Sequence, residues 1–216
     1  MRKLFFALTA VLLAGLTLAQ SEEGKIVYAV EMSSDDPQMS IAAQMMSGSK
    51  FELTFRKGAT MAKMDMGAMM SMTTTVNGED VLILMGGMMG NKAVKTTKSE
   101  LIDKEGADMD ATVELLDETK EVVGYTCKKA IVTDSDDNQI EYWYTEKLKL
   151  TVEGQGNANG LIPGIALAFS IDKRGMTMSY IATSVEDKIS NEISFEVSIP
   201  EGYEEMTMEE MGSLGM

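Results

Sequence analysis

The sequence predicts a mainly β fold with minor helix: one strongly curved antiparallel sheet or incomplete barrel, with two short helices. Two observations predict the sheet. From Gly24 onward apolar and polar residues alternate with period two, and about ten such segments recur at regular spacing between Gly-, Asn- or Asp-containing turns. A third observation predicts the helices: only two segments pair a helix-start signal with apolar residues at helical spacing.

The first nineteen residues read as an address. Arg2 and Lys3 precede an uncharged apolar stretch, Leu4 to Leu18, and Thr17-Leu18-Ala19 supplies the small residues of a cleavage site. The stretch is too short to span a bilayer, so residues 1–19 are expected to be a secretory signal peptide and 20–216 a single β-rich domain.

Ile26, Tyr28, Val30 and Met32 alternate on a first strand. Asp36-Pro37 then has the form of an N-cap and first helical residue, followed by Met39, Ala42, Ala43 and Met46 at helical spacing. Ser49–Arg56 carries Phe51, Leu53 and Phe55 on one face. A turn at Lys57-Gly58 sets Phe51 opposite Met64 and Leu53 opposite Ala62. A three-residue loop, Gly67-Ala68-Met69, sets Met64 opposite Met72 and Met66 opposite Met70, with Lys63 and Asp65 on the other side. A two-residue loop would scatter the methionines over both faces, because a one-residue slip turns every side chain over. Asn77-Gly78 predicts the next hairpin, pairing Thr74 with Val81, Met72 with Ile83 and Met70 with Met85. Lys92, Lys95 and Lys98 suit a solvated strand edge, and Lys98 to Asp110 a long polar connection.

In the second half, Tyr125–Asp134 and Asn138–Lys147 form a hairpin tipped by Ser135-Asp136-Asp137. Ala130 and Val132 share a face with Ile140 and Tyr142, while Cys127, Ile131 and Trp143 take the other. The tip is not a calcium loop, since Gln139 and Thr145 stand where glycine and glutamate would be required. Gly154 to Gly160 reads as a flexible loop. Ile165, Leu167, Phe169 and Ile171 alternate, Arg174-Gly175 turns the chain into Met176–Val185, and Ile193, Phe195, Val197 and Ile199 form a last strand ended by Pro200. Thr207-x-x-Glu210 is a capping box for a terminal helix carrying Met208 and Met211.

Composition restricts the chemistry. The 19 basic and 34 acidic side chains give a net charge of −15, which disfavours nucleic acid as a partner. There is no histidine, which removes histidine bases and histidine-ligated zinc, and a single cysteine, Cys127, closes no internal disulfide. Methionine is the unusual residue: 21 in all, 13 of them between Met32 and Met89. Phe51, Phe55, Met64, Met66, Met70, Met72 and Met85 therefore form the candidate ligand-binding set on a shared face. Methionine there can fill a core, line a deformable cavity for a hydrophobic small molecule or lipid, or collect Cu(I) or Ag(I) through Met61, Met64, Met66, Met69, Met70 and Met72. The Met85–Gly90 run could serve as a hinged lid over the face.

Glu118-Thr119-Lys120, then Gly124-Tyr125-Thr126-Cys127-Lys128-Lys129-Ala130, Trp143-Tyr144-Thr145 and Gly160-Leu161-Ile162-Pro163-Gly164 together resemble the GLPGLI family of exported domains. Here the Gly-Pro motif is followed by Ile165, an isoleucine more than the family's name prescribes. The resemblance covers about Thr112 to Phe169, and Ile199–Tyr203 more loosely. It implies an exported protein of the diderm bacterial envelope, periplasmic or outer-membrane-associated, and it supplies no catalytic residue. The expectation is a non-enzymatic exported protein that binds a hydrophobic or lipid-like ligand without a cofactor. A periplasmic Cu(I) binder and an envelope structural or interaction protein are the alternatives.

Overall fold

A computed structural model describes residues 20–45, 48–67, 69–88, 90–105, 111–135, 137–151, 158, 160–173 and 175–213. The expected signal peptide and most of the Gly154–Gly160 loop lie outside these residues.

Twelve strands form one unclosed sheet. In chain order they are β1 (Gly24–Ser33), β2 (Lys50–Arg56), β3 (Ala59–Asp65), β4 (Met70–Asn77), β5 (Asp80–Gly87), β6 (Lys92–Thr97), β7 (Thr112–Val122), β8 (Tyr125–Thr133), β9 (Gln139–Thr145), β10 (Ile165–Lys173), β11 (Met176–Glu186) and β12 (Glu204–Glu205). Their spatial order is β12-β6-β5-β4-β3-β2-β1-β11-β10-β9-β8-β7. Two antiparallel meanders thus meet at the central β1–β11 pair, and only β12 runs parallel to its neighbour, β6. The sheet curls about its inner face, for the Tyr28 hydroxyl of β1 reaches across β11 to donate to the Ala166 carbonyl of β10 at 2.7 Å.

The helices are α1 (Pro37–Met45), α2 (Lys98–Glu105) and α3 (Met208–Ser213). α1 and α3 are the expected pair, although Met46 lies outside the described residues. Glu210 and Thr207 cap α3 reciprocally, the Glu210 amide donating to Thr207 Oγ1 at 3.2 Å and the Thr207 amide to Glu210 Oε2 at 2.8 Å. α2 replaces the first part of the expected polar connection. Its own start signal is Thr97-x-x-Glu100, with the Glu100 amide donating to Thr97 Oγ1.

Strand parity matches the expected register through the first three hairpin strands: Phe51 faces Met64, Leu53 faces Ala62, and Met64 faces Met72. The next hairpin differs. Met72 pairs with Met85, Thr74 with Ile83 and Val76 with Val81, two residues from the expected register. The turn is Gly78-Glu79, because Gly78 (φ 63°) occupies the first central position, where a hairpin loop needs a left-handed residue. The even displacement leaves the shared face intact.

Ile193–Ile199 is a strap and not the expected strand. It crosses the outer face of the first meander, where Arg56 lies over the Phe195 ring and Asn77 Nδ2 donates to the Phe195 carbonyl. On the same outer face Thr54, Ala59, Thr75 and Leu82 are buried. The chain then rounds the sheet edge as β12, where Lys92 pairs with Glu204, and α3 settles on the inner face. There Met206, Met208 and Met211, with Leu101 of α2, pack on Val81, Ile83, Met85 and Val94. A second, larger cluster fills the inner face of β1, β2 and β8–β11.

Cys127 is fully buried and joins the larger core cluster, against which Trp143 also packs. Its partner in β7 is Lys120, beyond the irregularity between Leu116 and Thr119. The hairpin tip stands as expected: Asp134 Oδ1 accepts the Asn138 amide at 2.8 Å, holding a polar turn whose Asp136 lies outside the described residues.

Candidate functional site: a thioether and aromatic face

Cross-strand pairing builds the site as a row on the inner face. Tyr28 faces Phe51, Phe51 faces Met64, Met64 faces Met72 and Met72 faces Met85. Just beyond the β3–β4 pair, the Met66 amide donates to the Met70 carbonyl at 2.9 Å, and Met70 faces Gly87, which brings no side chain of its own. A Cβ there would lie 2.5 Å from the Met69 carbonyl oxygen. β5 therefore runs on through Gly86 and Gly87, taking in residues expected in a hinged lid. Met88 follows in the turn, and Met89 lies outside the described residues.

The seven candidate residues separate into two groups. Phe51, Phe55 and Met85 are buried, Phe55 to 1% exposure, and they wall the two core clusters. Met64, Met66, Met70 and Met72 are half-buried: Met64 packs against the larger cluster and Met72 against the smaller, with Met66 and Met70 at the end of the same two strands. The wider Cu(I) set does not gather at one point. Met61 pairs with Thr75 and belongs by parity to the outer face, while Met69 sits exposed at the β3–β4 turn. Met64, Met66, Met70 and Met72 remain together.

The row continues into an aromatic half that the sequence reading missed. Phe169 of β10 faces Tyr180 of β11 and Tyr142 of β9. The Phe169 and Tyr180 rings stack at 4.6 Å and 8°, those of Phe169 and Tyr142 at 5.4 Å and 26°. Phe51 closes edge-on to Tyr180 at 5.8 Å. The signal was available: carrying the Arg174-Gly175 turn back residue by residue places Phe169 opposite Tyr180.

Two recesses lie elsewhere. About 780 Å³ opens between β1 and the α1 segment, lined by Val27, Met32, Ile41, Ala43, Ser49 and Lys50 among others. A smaller one of about 530 Å³ lies beside Tyr144 and the Lys128–Glu146 ion pair. The methionine row lines neither.

Titratable groups add the following. Burial pushes the Cys127 thiol up to about 11, aided by the Glu121 carboxylate, so it is protonated and unreactive at neutral pH. Burial likewise raises the Tyr142 and Tyr180 phenols. On the outer face Glu141 accepts hydrogen bonds from Lys129 and from Trp143 Nε1, and these hold its carboxyl below the ordinary range. No group of three or more acidic or cysteine side chains suited to a metal ion occurs among the described residues.

Residues 24–198 match the family described as "N-glycanase peptide, N-terminal domain", and the chain belongs to that family. In three dimensions it is similar to PNGF-II. The P21 crystal form aligns with a TM-score of 0.56 and 18% identity over 89% of this chain and 33% of that one. The C2 form gives 0.51 and 16%, over 89% and 32%. This chain thus spans about a third of the length of PNGF-II, and the likeness is one of fold. The Mycobacterium tuberculosis lipoprotein LppX aligns at a TM-score of only 0.37 with 10% identity, over 77% of this chain and 88% of that one. No curated protein matches the chain. No helix among the described residues is long and apolar enough to cross a membrane.

Family membership corrects the expectation of a non-enzymatic protein, for the family is named after an enzyme, an N-glycanase. The physical reason is plain. Absence of histidine removes histidine chemistry only, and 34 carboxylates remain from which hydrolytic acids and bases can be drawn.

Proposed function

We propose that this chain serves N-glycanase-type chemistry as the part that holds an apolar ligand, in an exported bacterial envelope protein. The observation that carries this reading is the half-buried quartet Met64, Met66, Met70 and Met72 on the inner face, in which Met64 packs on one core cluster and the facing Met72 on the other. Unbranched thioethers repack around differing shapes. An apolar ligand covering about 200 Å² of this surface would gain roughly 5 kcal/mol before the losses of association. The Leu4–Leu18 segment and the GLPGLI resemblance support the exported setting.

Organic extraction of freshly purified protein followed by mass spectrometry tests the ligand, and recovery of a lipid-like compound is expected. The link to the chemistry is tested by incubation with an N-glycosylated peptide. Glycan release that falls in the Met64→Glu/Met72→Glu variant supports the reading, and release that is equal in both proteins defeats it.

A second proposal keeps the soft-cation reading on the reduced set. It is favoured by the facing pair Met64 and Met72 beside the hydrogen-bonded Met66 and Met70.

A further inference from the structure

The C-terminal segment is held to the sheet largely by methionine. Residues 199–213 lie beyond the part that the family model matches. Within them β12 is two residues long and α3 six, with no buried side chain in either. A helix this short does not persist in water on its own, so its docking depends on contacts with β5 and β6. Two backbone bonds tie the segment to the sheet edge. The Glu204 amide donates to the Asn91 carbonyl at 3.1 Å and the Met206 amide to the Ala93 carbonyl at 2.8 Å, beside the Lys92–Glu204 ion pair. The apolar part of the seat is Met206, Met208 and Met211, each half-buried, against the cluster of Val81, Ile83, Met85 and Val94.

Half-burial leaves a thioether open to small oxidants while part of it faces carbon. Hydrogen peroxide transfers one oxygen atom to such a sulfur, which loses two electrons and becomes a sulfoxide, and the peroxide leaves as water. The side chains of Val81, Ile83, Met85 and Val94 offer no donor to the new oxygen, so keeping the contact would bury an unsatisfied acceptor. Other half-buried methionines, such as Met64 and Met178, stand on strands paired on both sides, and the backbone ladder holds them whatever the side chain becomes. The C-terminal segment has only the two backbone bonds at its start.

We propose that Met206, Met208 and Met211 form a peroxide-sensitive modification site, and that their oxidation undocks Glu204–Ser213 as a unit. Undocking bares Val81, Ile83, Met85 and Val94 and frees the edge of β6 at Lys92 and Ala93, where another strand can pair. A thiol-dependent reductase restores the thioethers, the thiols leaving as a disulfide and the oxygen as water, and the segment redocks. This goes beyond the ligand reading of the inner face and does not depend on it.

The test treats the full chain with hydrogen peroxide, locates the added oxygens by peptide mass spectrometry, and follows hydrogen exchange of the Glu204 and Met206 amides by NMR. Expected is exchange at least about tenfold faster at both once the three methionines carry oxygen, with the β1–β11 amides unchanged. Methionine sulfoxide reductase with dithiothreitol should restore the slow rate. Met206→Leu/Met208→Leu/Met211→Leu keeps the apolar contact and takes up no oxygen there, so its exchange should not respond to peroxide. Resistance of the three sulfurs at doses that oxidise exposed Met69 and Met88 overturns the modification site. Unchanged exchange in a chain carrying all three oxygens overturns the undocking. Equal acceleration in the leucine variant, or acceleration that extends to the β1–β11 amides, overturns it too, since either places the effect outside this segment.

Discussion

The Arg56 guanidinium lies 4.6 Å from the centre of the Phe195 ring, clasping the strap to the outer face of the first meander. Phe195 is 1% exposed, so its ring is the buried wedge by which the strap is held. Phe195→Ala is expected to remove about 3–5 kcal/mol of stability, the range for a buried phenylalanine. Arg56→Ala should remove only about 0.5–1 kcal/mol, since it removes the cation and leaves the wedge. Denaturant midpoints at constant slope would check both, and equal small losses would show that the strap contributes little.

Gly164 immediately precedes β10 and lies against the end of β9. A Cβ at this position would sit 2.1 Å from the Thr145 carbonyl oxygen and 2.7 Å from its carbon. Both are backbone atoms and cannot swing aside. Gly164→Ala is therefore expected to destabilise by about 1–3 kcal/mol or more, as overpacking does. Thermal melts would show it, with Pro163→Ala, at an exposed position, as the near-neutral comparison.

Much of this fold was legible because strand parity is a strong constraint wherever one face is buried. Phe51 opposite Met64 follows from the Lys57-Gly58 turn, and Met64 opposite Met72 from keeping Lys63 and Asp65 in water. The β4–β5 error came from placing Gly78 second in its turn, and parity survived because the shift was even. Ile193–Ile199 misled for a physical reason: an extended strap laid across a sheet also buries alternate side chains, so its period is that of a strand without the ladder. The β1–β11 closure joins residues more than a hundred positions apart, and no local pattern encodes it. The site was legible where a single hairpin creates it. It was missed at Tyr142, whose place beside Phe169 depends on a β9–β10 pairing with a bulge in it.

Cys127 and Tyr28 make the protein sensitive to alkali. Both are buried acids that charge on losing a proton, and both have their folded pKa raised, Cys127 to about 11 from an unfolded value near 9. Below pH 9 both states hold the thiol proton and stability is flat with respect to it. Between about pH 9 and 11 the unfolded state binds fewer protons, so stability falls by up to roughly 1.4 kcal/mol per pH unit per group, with Tyr28 joining above about pH 10. Guanidinium melts at pH 8, 9, 10 and 11 are expected to show this decline. In Cys127→Ala the part beginning near pH 9 should vanish, and a decline of unchanged slope would refute the assignment.

Met64 and Met72 provide the sharpest separation between the readings of the methionine seam. Leucine nearly conserves methionine's volume and removes the sulfur, so Met64→Leu/Met72→Leu should keep apolar uptake, here that of a solvatochromic dye, within about twofold. Glutamate at both places sets two like charges directly opposite each other on adjacent strands, and should lower dye binding at least tenfold. The fold should tolerate this, because both positions are half-buried and the Phe51, Phe55 and Met85 walls stay intact. A soft-metal site gives the opposite ranking, since the leucine pair would abolish Cu(I) retention against a competing chelator while dye uptake went untouched. If neither pair of substitutions changes dye or Cu(I) binding, the methionines are packing alone.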